Sequence, residues 1–222
     1  MEDTLLWGEA CAAAIRTTRL GYLQSSKEAI RHVLHSVGLT GLLRRRQAAQ
    51  GFSAGRYIRN NAKETFRALY QHGGWVHEDE QESRSGIGSS AAVAAGLVER
   101  IEAATDRLGA ESLVDVGCGD WNWMKRARFG FAYTGVDVVP EVIAANQQFA
   151  RPGVNFTVCD AIEGPIPVAD VALCREVLFH LSFTDAMAVF RNIKAATRYL
   201  IATTDLDIGM NSDIQTGDFR RI

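Results

Sequence analysis

The chain has 222 residues, 47% of them hydrophobic, with 24 Lys+Arg against 26 Asp+Glu for a net charge of −2. That is enough for one good core plus an extension, in an ordinary globular composition. No apolar run reaches the roughly 18 residues of a membrane span, and the acidic opening "MEDTLLWGEACAAAIRTTRL" does not read as a secretory signal, so a cytoplasmic location is expected.

The charge is unevenly placed. Residues 1–67 carry 11 Lys+Arg and 5 Asp+Glu, a net +6; residues 68–222 carry 13 and 21, a net −8. A basic helical extension over 1–74 ahead of an acidic domain over 75–222 is the expected division. The four cysteines, Cys11, Cys118, Cys159 and Cys174, form no C-x-x-C pair. They are expected as small buried side chains, with no metal site and no disulfide framework.

In chain order, residues 4–20 read as a helix, and Ser25-Ser26 caps a second over 27–36. "LLRRRQAAQ" forms a short helix and turn; its Arg44-Arg45-Arg46 run is by default a solvated helix end. A peripheral contact with an anionic membrane surface is the alternative, and sequence-specific nucleic-acid binding is not expected. Asn60-Asn61 starts the helix "AKETFRALYQH", which Gly73-Gly74 stops. The polar stretch "HEDEQESRSGIGSS" is a loop, and Ser89 or Ser90 caps the helix "AAVAAGLVERIEAATDRLG", ended by Gly109.

From there strands alternate with helices: "SLVDVG", a short helix over 121–128, "AYTGVDV", a helix over 140–149 with Pro140 in its first turn, "VNFTVCD", "ADVALCRE", a helix over 183–196, and "RYLIATTD". Near-continuous apolar strands joined by helices imply an α/β fold, a doubly wound, mostly parallel sheet covered on both faces.

Such a sheet binds ligands beyond the carboxyl ends of its strands. Gly117 and Gly119 follow the first strand and let a ligand press on bare backbone. Asp137, ending the second strand, suits the two hydroxyls of a ribose. Asp160, ending the third, suits an adenine amine. A dinucleotide site normally has a third glycine; this stretch reads Gly117-Cys118-Gly119-Asp120-Trp121-Asn122, and an acid at 120 repels a diphosphate. Asp115 and Asp120 instead suit the ammonium group of S-adenosylmethionine.

"LVDVGCGDWNWM" resembles the first cofactor motif of class I SAM-dependent methyltransferases, in the variant D-x-G-C-G-D-F/W-N-W. "YTGVDVVPEVIAANQ", "VCDAIEGPIPVADVALCREVLFHLS" and "YLIATT" resemble the following motifs in order, so the likeness spans roughly residues 75–220. It implies a Rossmann-like methyltransferase fold, S-adenosyl-L-methionine as cofactor, and methyl transfer to an oxygen or nitrogen of a small molecule, a saccharide or lipid-linked acceptor among the options. The cofactor residues it implies are Asp115, Gly117, Cys118, Gly119, Asp137, Val138, Asp160 and Ala161. The family continues past "DIQTGDFRRI" into a final antiparallel strand pair, which this sequence is expected to lack.

Further candidates come from the loops at the same edge. His180 and Glu176, in "CREVLFHLS", are the candidates for a proton-accepting or substrate-binding role, on one face if that segment turns helical. Arg175 either faces the cofactor or pairs with an acid of its loop. Arg84, or the backbone N–H groups around it, is a candidate to hold the methionine carboxylate. Trp121 and Trp123 are expected chiefly in the core, and Trp75 in the core or a substrate wall. Asp205 and Asp207 read as solvated loop acids. Two rival functions stay open, a non-catalytic cofactor- or partner-binding module and an NAD-dependent oxidoreductase.

Overall fold

A computed structural model of the protein describes residues 54–75, 82–125, 127–204 and 212–219. The predicted helices over 4–20 and 27–36, Cys11, Arg44-Arg45-Arg46, Asp205 and Asp207 lie outside the described residues. Ala54–Ile222 forms one compact unit. The helix that the charge count assigns to the extension, α1 (Ala62–Gln71), therefore packs with the sheet. Its exposed side carries the basic residues, while Thr65, Ala68, Leu69 and Tyr70 are buried. Asn61 caps it, its side chain accepting from Glu64 N at 2.9 Å.

Helix α2 is Leu97–Leu108. It starts later than predicted, because Gly96 sits at φ +71 and the preceding residues form turns. Within those turns the Ser90 hydroxyl accepts from Val93 N at 3.4 Å and its carbonyl from Ala94 N at 3.0 Å, and Val93 is exposed. Gly109 ends α2 as expected, at φ +58. The strands follow: β1 (Ser112–Val116), β2 (Ala132–Asp137), β3 (Val154–Val158), β4 (Val171–Cys174) and β5 (Tyr199–Ala202). Between them run α3 (Pro140–Asn146), with Pro140 at its first turn, continued by a 3-10 turn over Gln147–Phe149, and α4 (Phe183–Ala196), capped by Ser182. Residues 122–125 form turns where a helix was predicted; Trp121, at φ +56, redirects the chain.

The five strands pair in parallel in the order β3-β2-β1-β4-β5. Alternation along β1 sends Leu113 to one face and Val114 and Val116 to the other. On the first face Leu113, Tyr133, Phe156 and Leu173 pack with Ile101 of α2, Ile143 of α3 and the fully buried Trp121. On the second, Val114, Val136 and Ala172 pack with Ala186, Val189 and Ile193 of α4. At the amino-terminal edge Asp170 accepts from Glu111 N, Ser112 N and Ser112 Oγ, and from Arg198. The chain order reverses between β1 and β4, so the crevice for a ligand opens above their carboxyl ends.

Cys118 and Cys174 are buried and Cys159 is half-buried, all three as free thiols. Among the described residues no group of three or more His, Cys, Asp and Glu is placed to hold a metal ion. No helix among them is long and apolar enough to cross a membrane.

Candidate functional site

The glycine turn is held by the sheet beneath it. Gly117 N and Cys118 N both donate to Val136 O, at 2.8 and 3.0 Å, and Gly119 N donates to Asp137 Oδ2 at 3.2 Å. Gly117 and Gly119 adopt φ +75 and +58. A Cβ at 117 would lie 2.4 Å from Val177 Cγ2, and one at 119 would lie 2.4 Å from Ser85 Oγ. Only glycine satisfies both the backbone angle and the space.

Asp115 and Asp137 end β1 and β2 side by side, each with under a tenth of its surface exposed. Asp115 accepts a 2.6 Å hydrogen bond from the Tyr133 hydroxyl. Burial nevertheless pushes its pKa up to about 7, against the pull of Tyr133 and of the Arg175 charge. Burial also raises Asp137 to about 6, opposed by backbone N–H donors that include Val139 and Gly119. These carboxylates lack full solvation in the ligand-free site, so a ligand bringing hydroxyl or ammonium donors relieves them.

Asp160 shows a double role. Its Oδ1 caps the turn after β3, accepting from Ile162 N at 2.9 Å and Glu163 N at 3.4 Å, and the residue also lines the crevice beside Ala161.

A loop over residues 82–90 roofs the glycine turn, and Asp120 anchors it. The Asp120 carboxylate accepts from Ser83 Oγ at 2.9 and 3.0 Å and from Arg84 N at 2.7 Å. Asp120 N donates to Ser85 Oγ, which also bonds the Tyr70 hydroxyl of α1; both contacts are 2.9 Å. Asp120 thus spends its charge on the roof rather than on an ammonium group. The Arg84 guanidinium donates to Tyr70 O at 3.0 Å and lies over the Tyr70 ring. Held by the Tyr70 carbonyl and ring, Arg84 does not itself line the crevice. Ser85 and Ser89 of the same loop do line the crevice. Arg175 lines it too, with Nη2 donating to Gly88 O at 2.6 Å and its guanidinium over Trp123.

After β4 the chain does not turn helical at Glu176. That residue takes φ +59, and its N donates to Thr203 Oγ1 at 3.1 Å. His180 closes a 3-10 turn, Leu178–His180. Its Nδ1 lies 2.8 Å from Asp218 O, and its ring packs against Trp75, Phe179 and Phe219. Burial lowers its pKa to about 4, so the ring is neutral near pH 7. Trp75 adds a buried Nε1 with no hydrogen-bond partner among the described residues.

The crevice encloses about 930 Å³ of empty space, its open mouth included, and the sequence candidates other than Arg84 and Asp120 line it. Sequence reading missed Phe66 and Tyr70 of α1, which line it as well. Their i, i+4 spacing ahead of Trp75 was the available signal.

The donor set fits S-adenosylmethionine. Asp137 can take the ribose hydroxyls, Asp160 and Ala161 the adenine edge, and Asp115 the ammonium, while Ser85, Ser89 and Arg175 are donors for a carboxylate. Three acids at the strand tips suit a cationic ligand and oppose a diphosphate.

Residues 114–199 match the family model described as a methyltransferase domain. No curated protein sequence matches the chain. Among solved structures, magnesium protoporphyrin IX methyltransferase (ChlM) from Synechocystis PCC 6803 with bound SAM is 17% identical, with 68% of this chain and 79% of that one covered and a TM-score of 0.51. Its complex with SAH gives 19%, 64%, 71% and 0.50. The methyltransferase domain of bacterial CtHen1 is 21% identical over 49% of this chain, with a TM-score of 0.42, and the match spans 64% of that domain's length. At such identities the likeness to ChlM is one of fold. The strand order gives a Rossmann-like methyltransferase fold, residues 114–199 are similar to a methyltransferase domain, and the acids around the crevice suit S-adenosylmethionine as the cofactor.

Proposed function

We propose that this protein is an enzyme that transfers a methyl group from S-adenosylmethionine to an oxygen or nitrogen of a small-molecule acceptor. The observation that carries the reading is the buried Asp137 carboxylate beside the Gly117–Gly119 turn, at the point where the strand order reverses. The cofactor supplies an electrophilic methyl carbon on a sulfonium, already activated for displacement. The chain then has to orient, exclude water and receive a proton.

Orientation falls to Asp137, Asp160 and Asp115, which grip the donor at separate points; holding two reactants in line supplies much of the rate. Water exclusion falls to the roof loop and to Phe66, Tyr70 and Trp75, which form an aromatic wall. That wall suits an acceptor with a flat or apolar face, a sugar ring or a lipid-borne group included. His180 is neutral, and the Asp218 carbonyl holds Nδ1, so Nε2 is the nitrogen that can accept the acceptor's proton. Glu176 stands at the same rim as a substrate-contacting carboxylate.

Calorimetry with S-adenosylmethionine, followed by transfer of its tritiated methyl group into a small-molecule extract, tests the reading. Binding and label in a small product support it. Absence of binding overturns it, and binding without transfer makes the chain a cofactor-binding module instead.

A further inference from the structure

Residues Asp213–Phe219 run behind His180, which lines the crevice, and touch three elements. At the start of α4, Phe183 N donates to Asp213 Oδ1 at 2.7 Å and Ser182 N to Thr216 Oγ1 at 2.9 Å, while the Thr216 hydroxyl donates to Asp185. Under α1, Gly217 takes φ +103 so close to Thr65 that a Cβ would lie 2.3 Å from its Cγ2. On His180 there are two contacts from consecutive residues. Gly217 N donates to the His180 carbonyl at 2.7 Å, and the Asp218 carbonyl lies 2.8 Å from the ring Nδ1. The Phe219 ring then packs on Phe179 and His180.

A peptide carbonyl only accepts, so the contact at Nδ1 requires the proton there. The other ring nitrogen is left with its lone pair and has no hydrogen-bond partner among the described residues. We propose that the Asp213–Phe219 strap is a positioning device, which through Gly217 and Asp218 locks His180 as the Nδ1–H tautomer and presents Nε2 to the acceptor. The proposal rests for its chemistry on the methyl-transfer reading, but its geometry does not. Asp218 acts by its backbone carbonyl, so the sequence letter at 218 carries none of this role. The strap's hold depends instead on Thr216, which ties it to α4 on two sides, and on Gly217, whose backbone angle and missing Cβ let it pass under α1.

The test uses the full chain with ¹⁵N-labelled histidine and reads the two ring nitrogens of His180 by long-range ¹H–¹⁵N correlation. The wild-type protein should show a protonated Nδ1 and an unprotonated Nε2 at pH 7. Thr216→Val, which removes both hydroxyl contacts at constant shape, should raise the Nε2–H tautomer. It should also slow methyl transfer at least tenfold, in the range lost with a general base, while S-adenosylmethionine affinity changes less than twofold. Thr216→Ser should restore both readings. A protonated Nε2 in the wild-type chain overturns the proposal, whatever the variants do. So does an unchanged tautomer in a folded Thr216→Val. A chain that shows the Nδ1–H form yet binds no S-adenosylmethionine keeps the strap's role and removes the methyl-transfer reading instead.

Discussion

Replacing Asp115 by Asn should make the ligand-free protein more stable while it weakens the cofactor site. Burial lifts the Asp115 pKa from 3.8 to about 7, roughly three units at about 1.4 kcal/mol each. The folded state therefore binds this proton more tightly than the unfolded chain. At pH 8 the carboxylate is ionised in both states, and the fold carries the whole penalty, on the order of 4 kcal/mol. As the pH falls through 7 the folded form takes up its proton and the penalty shrinks, to about 2 kcal/mol at pH 5 and towards nothing below the unfolded value. Asn keeps an oxygen for the Tyr133 hydroxyl, which donates to Asp115 at 2.6 Å, and Arg175 keeps its bond to Gly88 O. Urea unfolding of wild type and Asp115→Asn at both pH values is the assay. The expected gain is on the order of 4 kcal/mol at pH 8 and about half that at pH 5, with S-adenosylmethionine affinity at pH 8 reduced tenfold or more. A loss of stability at pH 8, or an equal gain at both values, refutes the desolvation argument.

Gly117→Val forces a branched residue into φ +75 with its Cβ 2.4 Å from Val177 Cγ2; calorimetry should show at least tenfold weaker S-adenosylmethionine binding. Asp115 and Asp137 take up protons near pH 7 and 6, so wild-type affinity should fall as the pH drops below 7 and more steeply below 6, each group adding up to about tenfold per unit; Asp137→Ala should bind tenfold or more weakly and lose the steeper segment, and a steeper segment that survives assigns that titration to another group. Asp120→Ala removes the acceptor of Ser83 Oγ and Arg84 N. Hydrogen bonds to a charged group contribute about 1.5–3 kcal/mol each, so amide exchange across Ser83–Gly86 should quicken at least tenfold, and an unchanged rate would mean that the loop is held elsewhere.

The elements legible in the sequence are those whose signals are local. Gly109 at the end of α2, Pro140 at the start of α3 and Ser182 before α4 stand where capping chemistry puts them. The apolar strands, the glycine turn and the acids at 137 and 160 follow from the same short-range logic. What was not legible depends on partners far along the chain. Asp120 reads as a pocket acid until Ser83, 37 positions away, is seen to claim it. Arg84 reads as a carboxylate clamp until Tyr70 is seen beside it. The turn at 122–125 looks like a helix by spacing, but Trp121 takes a left-handed angle that no periodicity reveals. Helix α1 reads as extension because its cations dominate a charge count, whereas its place is set by Thr65, Leu69 and Tyr70 on the opposite face.

The Tyr70–Ser85–Asp120 relay makes the crevice robust to its ionic surroundings. Its links are hydroxyls and peptide N–H groups, and even the Asp120 carboxylate meets a hydroxyl and amides rather than a cation. The ion pair that ties α1 to α3, Arg67 with Glu141, is half-exposed and of a kind worth about 0–1 kcal/mol. Physiological or moderately saline media, which screen charge beyond roughly 8 Å, thus leave the seam between α1 and the glycine turn shut.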